Sequence, residues 1–228
     1  MNALLLLLLD SRAPAGNHNH SGGMEAAVSI GLVAGLADTE KYCQARLRTS
    51  GKVAAAFAAA ACRLQLSPTA GATGMALLDA ELDARTASQA ARAASRQLGA
   101  GLQRLLRSML PGADLMTPWA GCGQPAPHQP LVLGSAVGLA GGTPELAARA
   151  AALAACAGPA SAAVRLLGLD PYAVQAMLAR LAPRIDECAD LAATAATGPP
   201  QSLPCDAAPA LDLLPDFHLT AEVRLFAS

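Results

Sequence analysis

TEKYCQARLRTSGKVAAAFAAAACRLQL, Thr39 to Leu66, reads as one long helical pattern introduced by Asp38 as N-cap, with Gly51 as a place to kink or split it. Alanine fills half of its second half, and alanine is the best helix former, with leucine close behind. The whole chain shares this character. Hydrophobic residues make up 53% of it but aromatic residues only 3%, so its core must be built from Ala, Leu and Val. The β-branched and aromatic residues that strands favour are too few for a sheet. An Ala-Leu core argues for closely packed helices. At 228 residues the chain fits one domain. The expected fold is all-α: a single-domain helical bundle over 1–197, followed by a Pro-rich, extended C-terminal tail over 198–228.

Outward from that stretch, the helical pattern recurs. ALLLLLL, Ala3 to Leu9, is too short for a membrane span of roughly 20 residues, and no basic residue precedes it as in a secretory signal. It reads as a short buried helix. A second helix is expected from near Gly23 to about Ala34. After the connector SPTAGATG, Met75 to Leu110 reads as one or two helices. There Leu98, Leu102, Leu105, Leu106 and Met109 recur at helical spacing, and Arg96, Arg104 and Arg107 mark wetter positions. A long Pro/Gly-rich loop holds the single tryptophan. LVLGSAVGLA, Leu131 to Ala140, carries Gly134 and Gly138 four apart, a spacing that lets two helix backbones approach closely. Thr143-Pro144-Glu145 starts a helix with an N-cap, a proline at the first position and an acid in the first turn. Asp170-Pro171 starts the last, running to about Ala196 with Pro183 as a bend. The tail after Gly198 has five prolines and is expected to be non-helical. Its apolar end needs something to dock on.

Sixteen basic and seventeen acidic residues are spread along the chain, for a net charge of -1. No basic stripe exists to neutralise phosphates, which argues against nucleic-acid binding. With no targeting segment or membrane span, the expected compartment is the cytosol. The six cysteines, at 43, 62, 122, 156, 188 and 205, form no C-x-x-C pair. They are expected to be reduced, small, buried side chains without zinc-ligand spacing.

PAGNHNHSGGME, Pro14 to Glu25, is the chemically richest segment. On an extended segment His18 and His20 point to one face, and nickel accepts imidazole readily. A metal site needs three or four ligands, however, and only Glu25 is near in sequence. The glycines lack the G-K-[ST] ending of a phosphate loop, and no strand precedes them. Ser21 beside His20 lacks a nucleophile elbow. No constellation passes the geometric checklist for catalysis, so the chain reads as no enzyme. What is left is a turn-rich loop with polar groups for a partner to read.

The chain resembles the urease accessory protein UreF family. DSRAPAGNHNHSGGME matches that family's D-S-x-x-P-x-G-[GN]-[FYH]-x-H-S-x-G-[LM]-E signature through Asp10, Ser11, Pro14, Gly16, His20, Ser21, Gly23 and Glu25, with His18 where an aromatic is usual. Ser95, Arg96, Gly99 and Leu102 match S-R-x-x-G-x-x-L. His128, Pro130, Val132 and Gly134 resemble the H-x-P-V-x-G stretch, with Leu131 as one extra residue between Pro130 and Val132. His218, Arg224, Leu225, Phe226 and Ser228 match the H-x-x-x-x-x-R-L-F-x-S terminus. The resemblance implies an all-helical protein, often a homodimer, without enzymatic activity. It implies a complex with the accessory proteins UreD (also called UreH) and the GTPase UreG that delivers nickel to apo-urease, with this chain bridging the two and modulating GTP hydrolysis. Nickel would be handled by the complex, and this chain would need no cofactor. Candidate partner-binding residues are Pro14, Gly16, His18, His20, Ser21, Gly23, Glu25, Ser95, Arg96, His128, His218, Arg224, Leu225 and Phe226. The alternatives are a metallochaperone that carries nickel on His18 and His20, and an unrelated helical enzyme.

Overall fold

The computed structural model describes residues 2–10, 13–14, 20–67, 72–113, 119–123, 125–219 and 225–226. Its elements are α1 (Ala3–Leu9), α2 (Met24–Ser29), α3 (Leu36–Arg46), a π-helical turn (Leu47–Gly51), α4 (Lys52–Leu66), α5 (Ala72–Arg85), α6 (Gln89–Met109), α7 (Gln129–Leu139), α8 (Pro144–Leu167), α9 (Pro171–Ala195), a 3-10 turn (Pro200–Ser202), α10 (Pro209–Asp212) and α11 (Leu214–Leu219). Among the described residues there is no strand. The all-α expectation holds.

The alanine-rich stretch becomes the central helix. Along α4, Val53 and every residue from Ala55 to Cys62 are buried, and the helix packs against α7, α8 and α9. A helix apolar on all sides belongs in an interior. The glycine spacing on α7 does what it predicts. A Cβ on Gly134 would lie 2.0 Å from the Ala58 carbonyl oxygen, so only glycine permits this approach of α7 to α4. α8 is long and apolar enough to cross a membrane, but it lies in the bundle against α4 and α9.

Gly51 splits the long helical pattern by way of the π turn. Its absent side chain leaves room for the Arg46 carbonyl, 2.9 Å from where a Cβ would stand, and for Ala155 of α8 at 3.0 Å. α3 begins three residues earlier than expected, with Gly35 as its N-cap instead of Asp38. Asp38 falls in the first turn, where an acid still favours the helix N-terminus, and its carboxylate accepts from Ala34 N at 3.4 Å. α2 stops at Ser29 rather than near Ala34, because Gly31 turns left-handed at φ +74° and its N–H closes on Val28. Thr143 and Asp170 cap α8 and α9 as expected. Met75 to Leu110 resolves into α5 and α6, the latter capped by the Ser88 hydroxyl.

Further expectations need correction, among them the burial of every cysteine. α1 is buried on one face only: Leu5 and Leu8 enter the core while Leu6 and Leu7 face outward. Arg96 lies inside, unlike the exposed Arg104 and Arg107 of the same helix. The tail is not free of helix. Pro209 and Pro215 stand in the first turns of α10 and α11, where the missing N–H costs no hydrogen bond. Of the cysteines, Cys43, Cys62 and Cys156 are buried, Cys122 and Cys188 partly so, and Cys205 is exposed; all are free thiols.

A second, smaller hydrophobic cluster sits beside the main core. Met24, Ala26, Ala27, Val33 and Tyr42 meet Ala162 and Ala163 of α8 there, together with Leu214 and Phe226 of the tail. The two ends of the chain therefore share one cluster.

Candidate functional site: the signature loop and its clamp

The signature segment turns sharply before α2. Gly22 and Gly23 both adopt left-handed backbone, φ +60° and +84°, which glycine alone takes without strain. A Cβ on Gly23 would also stand 2.7 Å from the Tyr42 hydroxyl oxygen. α3 grips the turn. The Tyr42 hydroxyl donates to the Gly22 carbonyl at 2.9 Å, and Arg46 Nη1 donates to the same oxygen at 3.0 Å. Burial raises the Tyr42 pKa against the opposing pull of Arg46, so the phenol stays a donor.

Arg46 also reaches α8, where its Nε donates to the Ala155 carbonyl at 3.3 Å. Pro159, four residues on, has no N–H to pair with that carbonyl. The helix interior that proline breaks is mended by the residue that holds the loop. Pro159 itself lies against Gly22, 3.1 Å from where a Cβ would be.

From the other side comes the tail. The Glu25 carboxylate accepts from Leu225 N at 2.6 Å and from Phe226 N at 3.1 Å. The Arg165 guanidinium of α8 stands 4.5 Å from the Phe226 ring centroid, within cation–π range. Phe226 is buried and Leu225 is 64% exposed.

The middle motifs form a separate interior constellation. Arg96 Nη1 bonds both oxygens of Asp79, at 3.0 and 3.2 Å, and the Ala126 carbonyl at 2.9 Å. Its Nη2 reaches Asp83 at 3.0 Å. Asp79 in turn accepts from Gly123 N at 2.7 Å and His128 N at 3.0 Å. The His128 ring pairs with Asp83 through Nε2 at 2.8 Å, while Ser95 Oγ accepts from Gln129 N at 3.2 Å. A Cβ on Gly99 would lie 2.1 Å from the Pro127 carbonyl oxygen. Ser95, Arg96, Gly99 and His128 thus fasten the long loop before α7 to α5 and α6. Arg96 and His128 are both buried, so as partner contacts they are poorly placed.

This constellation makes stability acid-sensitive. Burial lowers the His128 pKa from its ordinary 6.5, and the Asp83 hydrogen bond only partly restores it. Burial acts to raise Asp83, but His128 and Arg96 outweigh it and hold the carboxyl below 3.8. For His128 the unfolded chain binds the proton more readily, so its contribution is full above 6.5 and declines as pH falls below it. Asp83 adds stability above 3.8 that is lost as pH falls through its lower folded value. Melting temperature is expected to be level from pH 8 to 7 and to decline below 6.5. His128→Gln should remove the decline nearest 6.5; an unchanged slope in that variant would refute the assignment.

The remaining candidates divide. Pro14 is exposed, His20 half-buried, and Ser21 buried with its hydroxyl unpaired among the described residues. His218 falls in α11. Gly16, His18 and Arg224 lie outside the described residues. Among the described residues, no three His, Cys, Asp or Glu side chains stand together as metal ligands. Sequence reasoning did not single out Tyr42, Arg46, Asp79, Asp83 or Arg165. Only Asp79 and Asp83 left a signal: carboxylates four apart on one face of a helix.

Comparison with known proteins agrees with the motifs. The model of the family described as UreF matches residues 33–182. A urease accessory protein UreF from Mycolicibacterium vanbaalenii is 47% identical over 227 residues, covering 99% of this chain and 98% of its own. One from Mycobacterium sp. (strain JLS) is 44% identical over 224 residues, covering 98% and 97%. A third, from Mycobacterium marinum, is 42% identical over 226 residues, covering 99% and 98%. Similarity of that depth runs through the bundle and out to both ends that meet at Glu25, and it establishes that this chain belongs to the UreF family of urease accessory proteins.

Proposed function

We propose that this chain serves urease maturation as a non-catalytic scaffold, bridging UreD (UreH) and the GTPase UreG while nickel is delivered to apo-urease, and that it acts in the cytosol as a homodimer. Modulation of GTP hydrolysis on UreG belongs to the same reading. The observation that carries it is the joining of the chain's two ends. Glu25 of the signature segment holds the backbone of Leu225 and Phe226, while Leu225, Leu213 between α10 and α11, and Phe217 of α11 keep apolar side chains exposed. Apolar side chains held out from an ordered backbone suit recognition, because little conformational entropy is left to lose on binding.

This arrangement changes the best experiment. Removing everything after Thr197 would also strip Leu203, Leu214 and Phe226 from the cores, so loss of binding and loss of fold would coincide. Leu225→Asp touches an exposed side chain and leaves the backbone bonds to Glu25 in place. It is expected to weaken capture of UreD at least tenfold, with the melting temperature within about 2 °C of the parent, since exposed substitutions cost little. Full capture of UreD by this variant would end the docking role of the tail. The metallochaperone alternative is tested by nickel titration: submicromolar binding abolished by changing His18 and His20 to Ala would replace the scaffold reading.

A further inference from the structure

Directly beneath the clamp lie two thiols. Cys43 of α3 sits between Tyr42 and Arg46, the two residues that hold Gly22. Cys156 of α8 sits between Ala155, which accepts from Arg46, and Pro159, which packs on Gly22. Their contact is reciprocal. The Cys43 sulfur lies 3.5 Å from the Cys156 carbonyl oxygen, and the Cys156 sulfur 3.6 Å from the Cys43 carbonyl oxygen. Each sulfur against the other residue's backbone means that both Cβ atoms face the α3–α8 seam at a point of direct helix contact. Closing a disulfide across this seam requires the two Cα atoms to stand ~4.4–6.8 Å apart.

We propose that Cys43 and Cys156 are a redox pair that closes into a reversible disulfide between α3 and α8 with a hydroperoxide as oxidant, locking the clamp on the signature loop. The two thiols lose two electrons and two protons. With hydrogen peroxide, one thiolate takes one oxygen as the O–O bond breaks and the first water leaves. The other sulfur then attacks the resulting sulfenic acid, the S–O bond breaks, and a second water leaves. The hydrogen bond between the two thiols makes one easier to deprotonate while it holds the proton on the other. Both sulfurs are fully buried, so peroxide arrives through local opening and the reaction is slow. No other pair of thiols shows this reciprocal contact among the described residues, and the exposed Cys205 serves as an internal standard for peroxide exposure.

The test uses the full-length protein. Reduced protein is treated with hydrogen peroxide, quenched, denatured, alkylated and mapped by mass spectrometry without reductant. Expected is the loss of two alkylatable thiols, a linked Cys43–Cys156 peptide 2 Da lighter than the sum of the two thiol peptides, and full recovery with dithiothreitol. A staple of this kind should raise the melting temperature by roughly 5–15 °C. That rise should be absent in Cys43→Ala and Cys156→Ala. If either variant fails to fold, the peptide map of the parent protein still decides. Alkylatable Cys43 and Cys156 after peroxide exposure long enough for the α3 and α8 amides to exchange completely would overturn the proposal, as would linkage of Cys156 to Cys188 or between two molecules.

Discussion

Asp79→Ala is expected to cost ~3–5 kcal/mol of folding stability, the range for removing one partner of a buried ion pair. Asp79 is almost wholly enclosed, with its side chain 3% exposed against 10% for that of Arg96. Its removal leaves the Arg96 guanidinium in the interior with only half-exposed Asp83 as counterion. It also strips acceptors from the backbone N–H groups of Gly123 and His128. Denaturant unfolding with an unchanged m-value measures the loss. Replacing both partners, Asp79→Leu with Arg96→Met, should recover a large part of it, because no buried charge is then uncompensated. Recovery should be incomplete, since each orphaned N–H still costs ~1–3 kcal/mol. A single substitution costing under about 1 kcal/mol would mean that the pair contributes as little as a surface salt bridge.

The second large effect concerns a missing side chain. Gly134→Ala should destabilise the fold by ~1–3 kcal/mol or more, the range for overpacking a tight interior. The added Cβ would meet the Ala58 carbonyl oxygen at 2.0 Å and the Ala61 Cβ at 3.0 Å. The first of these is backbone in the central helix and cannot swing aside, so α7 must separate from α4. Gly158→Ala on α8 is the contrasting case. Nothing beyond its chain neighbours lies within 4 Å of its Cβ, and the propensity gain of alanine is opposed by crowding against the following Pro159, so the substitution should change stability by less than about 1 kcal/mol. Thermal melts of the two variants side by side separate packing from backbone propensity. A Gly134→Ala protein as stable as its parent would show that α4 and α7 have slack.

Secondary structure was largely legible because it is governed by neighbours in sequence. The N-caps at Thr143 and Asp170 bond to N–H groups three and two residues on, within reach of a local reading. Boundaries failed after α2, where Gly31 turns left-handed, and before α3, where Gly35 instead of Asp38 became the N-cap. The tail helices failed because a proline count ignores position: Pro209 and Pro215 stand where helices accept proline. Arg96 was misjudged for a different reason. Its helical face gave no warning that the partners Asp79 and Asp83 would be delivered by another helix.

By itself, the sequence determined the helical class, the single bundle, a close helix approach at Gly134 and the family. Composition, cap residues, glycine spacing and ordered motifs are all properties of the chain read linearly. Only the tertiary structure decided what those motifs touch. It separated them into an interior fastening around Asp79 and Arg96 and an outer clamp around Gly22. It joined Glu25 to Leu225 and Phe226 across 200 and 201 positions, and Arg46 to Ala155 across 109. Contacts at such separations arise from how helices pack. An unpaired carbonyl such as that of Ala155 is satisfied by whichever donor packing brings to it, and its partner cannot be read from the residues on either side.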